Sequence, residues 1–173
     1  MPVIERFLGK AVRVPEDRRY DPRQGLWVRQ EGKDLVFGWT EPAVALAGGI
    51  RQVEWLATEG DAVRAGEAIV FAITGKIVYL DAPVDGALSF NRALQGRPAL
   101  AEEDPYGEAW LFRIRPAGDP EAAYRRFQDA SAYVRSLEGT EGRKNPEGVK
   151  GRNTGMCKAV YRGIRDGLSG NCC

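Results

Sequence analysis

The stretch Ala68-Ile69-Val70-Phe71-Ala72-Ile73-Thr74-Gly75-Lys76-Ile77-Val78-Tyr79-Leu80 reads as two strands closing on a tight turn. Val, Ile, Phe and Tyr crowd both arms, and Gly75 is the breaker between them, which is the pattern of a β-hairpin. Gly75 suits the first central position of a two-residue type II′ turn, where a positive φ is needed. Lys76 then becomes the second central residue and is expected to point into water. A lysine presented this way is either an ordinary solvated turn residue or a site for covalent chemistry. Tyr79 and Leu80 on the returning strand are expected to anchor the base of the hairpin.

Outward from the hairpin, the chain reads as a β-rich body, a helix and a tail. Val53, Trp55 and Ala57 alternate with Gln52 and Glu54, predicting a strand with one packed face. Residues 26–28 and 35–39 predict two more strands joined at Glu31-Gly32-Lys33, and residues 111–114 a late one. Residues 43–48 predict a short helix ended by Gly48-Gly49. Residues 53–63 and 78–88 each pass from a strand through an Ala and an acidic, Gly-containing turn, a faint internal repeat. Past Pro116, Asp119 and Pro120 supply an N-cap and a first-turn proline. Tyr124, Phe127, Ala130, Val134 and Leu137 then recur at helical spacing before Gly139, predicting a helix packed on the sheet, with Arg125, Arg126 and Arg135 on its solvated face. Trp55, Phe71 and Trp110 are expected in the core.

The flanks of the hairpin carry a resemblance. Gly60-Asp61-Ala62-Val63-Arg64-Ala65-Gly66-Glu67 before it and Ala82-Pro83-Val84-Asp85-Gly86-Ala87-Leu88 after it resemble the flanks of a lipoyl-carrying domain. Val14-Pro15-Glu16-Asp17-Arg18-Arg19-Tyr20, Leu26-Trp27-Val28, residues 91–100 and Glu103-Asp104-Pro105-Tyr106-Gly107-Glu108-Ala109-Trp110-Leu111 resemble the H-protein family of the glycine cleavage system, over residues 14–137. The resemblance implies a mainly β, lipoyl-domain-like barrel-sandwich hybrid (hammerhead) with flanking short helices and a C-terminal helix. It implies a lipoate amide-linked to Lys76 by a lipoate ligase or transferase. The arm would take an aminomethyl group from a pyridoxal-phosphate decarboxylase, present it to a folate-dependent transferase, and be re-oxidised by a dihydrolipoyl dehydrogenase. Such a protein catalyses nothing itself; the fold positions and the cofactor reacts.

The hairpin departs from the family pattern. Counted back from Pro83, Lys76 lies one residue closer than a lipoyl lysine would, and Ile73 stands where the family favours a glutamate three residues before it. Two alternatives therefore stay open: an unlipoylated H-like scaffold or binding module, and a lipoate-binding carrier in sulfur metabolism, which a thiol-active tail would suit. A biotinyl carrier does not fit, because Gly75 and Ile77 stand where methionines or similar residues flank a biotinyl lysine.

Composition narrows the rest. The chain has 173 residues, 43% hydrophobic and 28% charged, enough for one core plus an appendage. No apolar run approaches the roughly 20 residues that span a bilayer, and Met1-Pro2-Val3-Ile4-Glu5-Arg6 lacks the start of a signal peptide. A cytoplasmic location and no membrane contact are expected. Histidine is absent, which removes Ser-His and Cys-His catalysis. A net charge of +1 gives no reason to expect a nucleic-acid partner.

Residues 1–138 read as the carrier domain and 139–173 as a C-terminal extension. The extension combines a basic linker, with Arg143, Lys144, Lys150 and Arg152, and a short helix capped at Thr154 with Cys157, Val160, Tyr161, Ile164 and Leu168 on one face. All three cysteines, Cys157, Cys172 and Cys173, lie there. They allow a Cys157 to Cys172 disulfide or dithiol switch, or one buried thiol beside a reduced chain end. Metal binding would need a CxxC spacing and a fourth ligand, and neither is evident.

Overall fold

The computed structural model describes residues 2–149. Along the chain run β1 (Val3–Phe7), β2 (Lys10–Arg13), β3 (Arg19–Asp21), β4 (Leu26–Glu31), β5 (Asp34–Trp39), α1 (Glu41–Ala47), β6 (Gln52–Trp55), β7 (Ala62–Val63), β8 (Ala68–Ile73), β9 (Ile77–Asp81) and β10 (Gly86–Phe90). They continue with α2 (Ala93–Gly96), α3 (Leu100–Glu103), β11 (Trp110–Pro116), α4 (Pro120–Arg125), α5 (Ala130–Ser136) and α6 (Glu141–Lys144). The strands form an antiparallel six-stranded sheet in the order β3-β4-β5-β11-β10-β7, a three-stranded sheet β6-β8-β9, and the hairpin β1-β2. The fold is mainly β and lipoyl-domain-like, built as packed sheets with flanking short helices and not as a closed barrel.

The six-stranded sheet is covered on both faces along part of its length, which is why residues 26–28 of β4 and 35–39 of β5 are continuously apolar and buried instead of alternating. Leu26, Val28, Leu35 and Phe37 point to one face and share a core with Val53, Ile69, Val70, Ala72 and Leu80 of the three-stranded sheet. Trp27 and Val36, one residue out of phase, point to the other face and join Phe7, Val12, Tyr20, Tyr106, Tyr133 and Leu137. Gly38 sits under the Trp27 ring; a Cβ there would come within 2.5 Å of it. The expected strands and the short helix are present, the helix with Thr40 as its N-cap and Gly48 as a left-handed C-cap.

Three expectations are corrected. The C-terminal apolar stripe spans two helices, α4 and α5, because the chain breaks at residues 126–129. There Gln128 pairs with Tyr20 through two backbone hydrogen bonds, 2.8 and 2.9 Å, and Asp129 caps the new helix by accepting from the Ala132 N–H at 2.8 Å. The break turns Tyr133, which lies off the stripe, into a buried residue of α5 beside Ala130, stacked on Tyr20 at 4.6 Å. Second, Trp55, Phe71 and Trp110 are only half-buried; the fully enclosed aromatics include Tyr20, Trp27, Phe37, Phe112 and Tyr133. Trp55 instead stacks on Phe90 at 4.4 Å, and Phe71 lies on the outer face of its sheet. Third, Tyr79 does not anchor the hairpin base, a role that falls to buried Leu80.

The two ends of the described chain meet. The β1-β2 hairpin receives α6, with Gly142 against the Phe7 ring, and the Gly9 N–H donates to the Pro146 carbonyl at 2.7 Å. Arg125, Arg126 and Arg135 are exposed, as a solvated face requires. Among the described residues no helix is long and apolar enough to cross a membrane.

Candidate functional site

β8 and β9 pair antiparallel with Ile73 opposite Ile77, Phe71 opposite Tyr79 and Val70 opposite Leu80. Three residues, Thr74, Gly75 and Lys76, make the connection, so the turn is not the two-residue type II′ turn expected from Gly75, which has no positive φ. Thr74 does the work instead. Its N–H donates to the Lys76 carbonyl at 2.8 Å, its hydroxyl donates to the same carbonyl at 3.2 Å, and the Lys76 N–H donates to that hydroxyl at 3.3 Å. Thr74 is buried while Gly75 and Lys76 are exposed. A threonine between Ile73 and Gly75 carries this signal, since Ser and Thr hydroxyls close local turns onto nearby backbone groups.

Lys76 therefore has a fixed backbone and a free side chain. Among the described residues nothing forms a hydrogen bond or ion pair with its ammonium group, and a Cβ placed on Gly75 would meet no atom within 4 Å. The base of the hairpin is rigid. Val70, Ala72 and Leu80 are in the core, and the Arg51 N–H donates to the Ile73 carbonyl at 2.8 Å, tying the tip to the start of β6. These residues fit a covalently attached lipoyl group: an exposed amine in open space on a buried support.

The outer face of this sheet carries two cross-strand rows, Ile77-Ile73-Gln52 and Tyr79-Phe71-Glu54. Ile77 is 58% and Tyr79 61% exposed. Hydrogen bonds from Gln52 and Gln95, 3.0 Å each, hold the Glu54 carboxyl below the usual carboxylate range.

The paired glycine turns that carried the resemblance close on the strand after the hairpin. Gly60 and Gly66, both with positive φ, donate backbone N–H bonds to Leu88 at 2.7 Å and Ala82 at 2.9 Å. The Glu103–Glu108 motif lies elsewhere and is structural. The Pro105 carbonyl accepts from Trp27 Nε1 at 2.8 Å and the Tyr106 carbonyl from Arg18 Nη1 at 2.9 Å. The Tyr106 hydroxyl donates to the Arg13 carbonyl and accepts from the Glu41 N–H, and burial pushes its pKa well up. Arg18 is held between the Trp27 and Tyr106 rings, 4.9 and 5.3 Å from their centres. Cys157, Cys172 and Cys173, with the helix expected around the first, lie outside the described residues. Among the described residues no group of His, Cys, Asp or Glu could hold a metal ion.

Packed sheets with flanking short helices in this arrangement are a lipoyl-domain-like fold. Residues 18–140 match the family described as glycine cleavage H-protein, and the chain belongs to that family. It is 34% identical over 132 residues to glycine cleavage system H protein 5 of Aquifex aeolicus, covering 72% of this chain and 87% of that one. It is 36% identical over 130 residues to the H protein of Anaeromyxobacter sp. strain K, covering 74% and 98%. The crystal structure of a glycine cleavage system H protein from Mycobacterium marinum superposes with a TM-score of 0.58 at 29% identity, covering 70% and 96%. Proteins of this family carry lipoate and are the non-catalytic carrier subunit of the system, so the chain is a carrier component and not a catalyst.

Proposed function

We propose that Lys76 is the attachment point of the lipoyl group and that the loaded arm carries an aminomethyl group between a decarboxylase, a transferase and dihydrolipoyl dehydrogenase. The observation that carries this reading is the tip itself: an exposed lysine with no partner among the described residues, its backbone held by Thr74, above a buried base. Attachment forms an amide between Lys76 Nζ and the carboxyl carbon of an activated lipoyl donor. The activating group leaves with its electron pair, and the ammonium gives up two of its three protons to solvent, the third staying as the amide N–H. When bound, the lipoyl group supplies the thiol chemistry on which the cargo rides. The chain supplies position: Thr74 fixes the tip, and Val70, Ala72 and Leu80 keep the hairpin from moving with the arm.

The test is Lys76→Ala expressed in the native host in place of the wild-type chain. The variant is expected to keep its melting temperature, since an exposed turn side chain contributes within about 0.5 kcal/mol, and to lose all glycine-dependent carrier activity. Retained activity would remove Lys76 from the mechanism, whereas an unmodified Lys76 in the wild type would favour the scaffold reading, for which Ile73 in place of a glutamate is the supporting observation.

A further inference from the structure

We infer that the C-terminal extension, residues 150–173, folds back into the groove from which it departs. It seats the apolar face of its expected helix, Cys157, Val160, Tyr161, Ile164 and Leu168, between the β1-β2 hairpin, α1 and α3. This holds whether or not Lys76 carries a lipoyl group. The groove encloses about 970 Å³. Of the residues lining it, Val12, Val44 and Ala101 are buried, Ala45 is half-buried, and Val3 and Val149 stand 45% and 56% exposed. Val149 is the last described residue, so residues 150–173 start from the wall of the groove itself. The exit is pinned to the hairpin: the Gly9 N–H bond to the Pro146 carbonyl and an Arg6–Glu147 ion pair of 2.7 Å hold residues 146–147 against it. The Asn145 carboxamide accepts from the Val149 N–H at 3.2 Å and donates to the Val149 carbonyl at 3.3 Å.

Tether, charge and placement select this occupant over a separate protein. Residues 150–154 separate Val149 from the first expected helical turn, a reach of at most about 18 Å, and so short a link sets an effective concentration of about millimolar. Of the chain's 25 Lys and Arg and 24 Asp and Glu, five and one fall in residues 150–173, giving that segment a net charge of +4 and residues 1–149 a net charge of −3. Within the groove Arg13 and Glu41 pair with one another at 2.7 Å, leaving Lys10 and Glu102 without a partner among the described residues. A helix of about 15 residues is marginal in water on its own, and Gly155, Gly163 and Gly167 weaken it further. The stripe therefore needs an apolar surface against which to form. β1, β2 and residues 145–149 lie outside the family match of 18–140. A surface shared by enzymes that serve the whole family would lie within the match; a groove walled by these additions suits an occupant that is itself an addition.

The test is thiol alkylation of the full-length chain under a phosphine reductant, which removes any disulfide as a source of protection, with the rate at each cysteine read by peptide mapping. In the wild type Cys157 is expected to react about tenfold or more slowly than Cys172 and Cys173, as a thiol behind a local opening step does. Ala11→Trp fills the groove from an exposed position on β2, and Val3→Lys sets a positive charge on its exposed rim. Ile164→Asp breaks the apolar stripe and leaves residues 1–149 unchanged. Each variant is expected to bring Cys157 to within about threefold of the other two thiols, and melting curves select the folded proteins; either groove variant alone decides. A Cys157 that reacts as fast as the other two in the wild type would overturn the inference. So would protection that the folded groove variants leave intact, because the stripe would then be covered elsewhere. Protection that disappears on dilution would overturn it as well, since the occupant would then belong to a second copy.

Discussion

At the scale of single residues, the tip of the hairpin depends on a side chain that a glycine-based turn rule passes over. Thr74 supplies both a donor and an acceptor to Lys76, so Thr74→Val, which keeps the shape and removes the hydroxyl, is expected to cost about 0.5 to 1.5 kcal/mol, read from urea midpoints. An unchanged midpoint would mean that the hydroxyl does not hold the tip. Gly38 is a second such residue. Gly38→Ala would push a methyl group into a Trp27 ring that is fully buried and hydrogen-bonded to Pro105, and should cost about 1 to 3 kcal/mol as overpacking does. The position of Lys76 at the tip was readable because strand propensity on both sides left only three residues for the turn. The form of the turn was not, because Gly75 invited a rule that needs a positive φ and the chain closes the turn through a hydroxyl instead.

Among elements, α5 and β3 share the tyrosine stack that the broken stripe concealed. A helical period continues through residues 124–137 in the sequence, and what interrupts it is the pairing of Gln128 with Tyr20, a contact between residues far apart in the chain that no local pattern reports. The Asp129 cap was legible in principle, since an aspartate inside an apolar stripe favours a helix start over a helix interior. The consequence is testable by pH. Burial raises the pKa of Tyr133 to about 12 and pushes those of Tyr20 and Tyr106 well up. Unfolded tyrosines lose their protons near pH 10, while the folded ones keep theirs. The folded state thus binds more protons above that point, and stability fully present below about pH 10 is lost as pH rises toward about 12, at up to about 1.4 kcal/mol per pH unit for each tyrosine. Urea midpoints measured from about pH 9 to about pH 11 should fall accordingly, and Tyr133→Phe should show a shallower decline. A flat profile in the wild type would mean that these hydroxyls are not held neutral by the fold.

For the whole molecule, the sheet pattern and the flanks of the hairpin were the legible part, since apolar runs at 26–28, 35–39 and 111–114 become β4, β5 and β11. The burial of aromatic residues was not, because it depends on which face of a doubly covered sheet each one takes. Trp27 and Trp55 look alike in sequence, yet Trp27 is fully enclosed in the second core cluster while Trp55 packs half-buried at the margin of the first, stacked on Phe90. Additions at both ends extend the shared architecture: the β1-β2 hairpin and α6 lie outside the matched residues 18–140 and pack on one another. Through all of this the central claim concerns one amine. It is tested most directly by the intact mass of the protein purified from its native host, with any added mass mapped to a residue. The account predicts a lipoyl increment on Lys76. An unmodified chain, in cells whose other lipoyl proteins are fully charged, would contradict it.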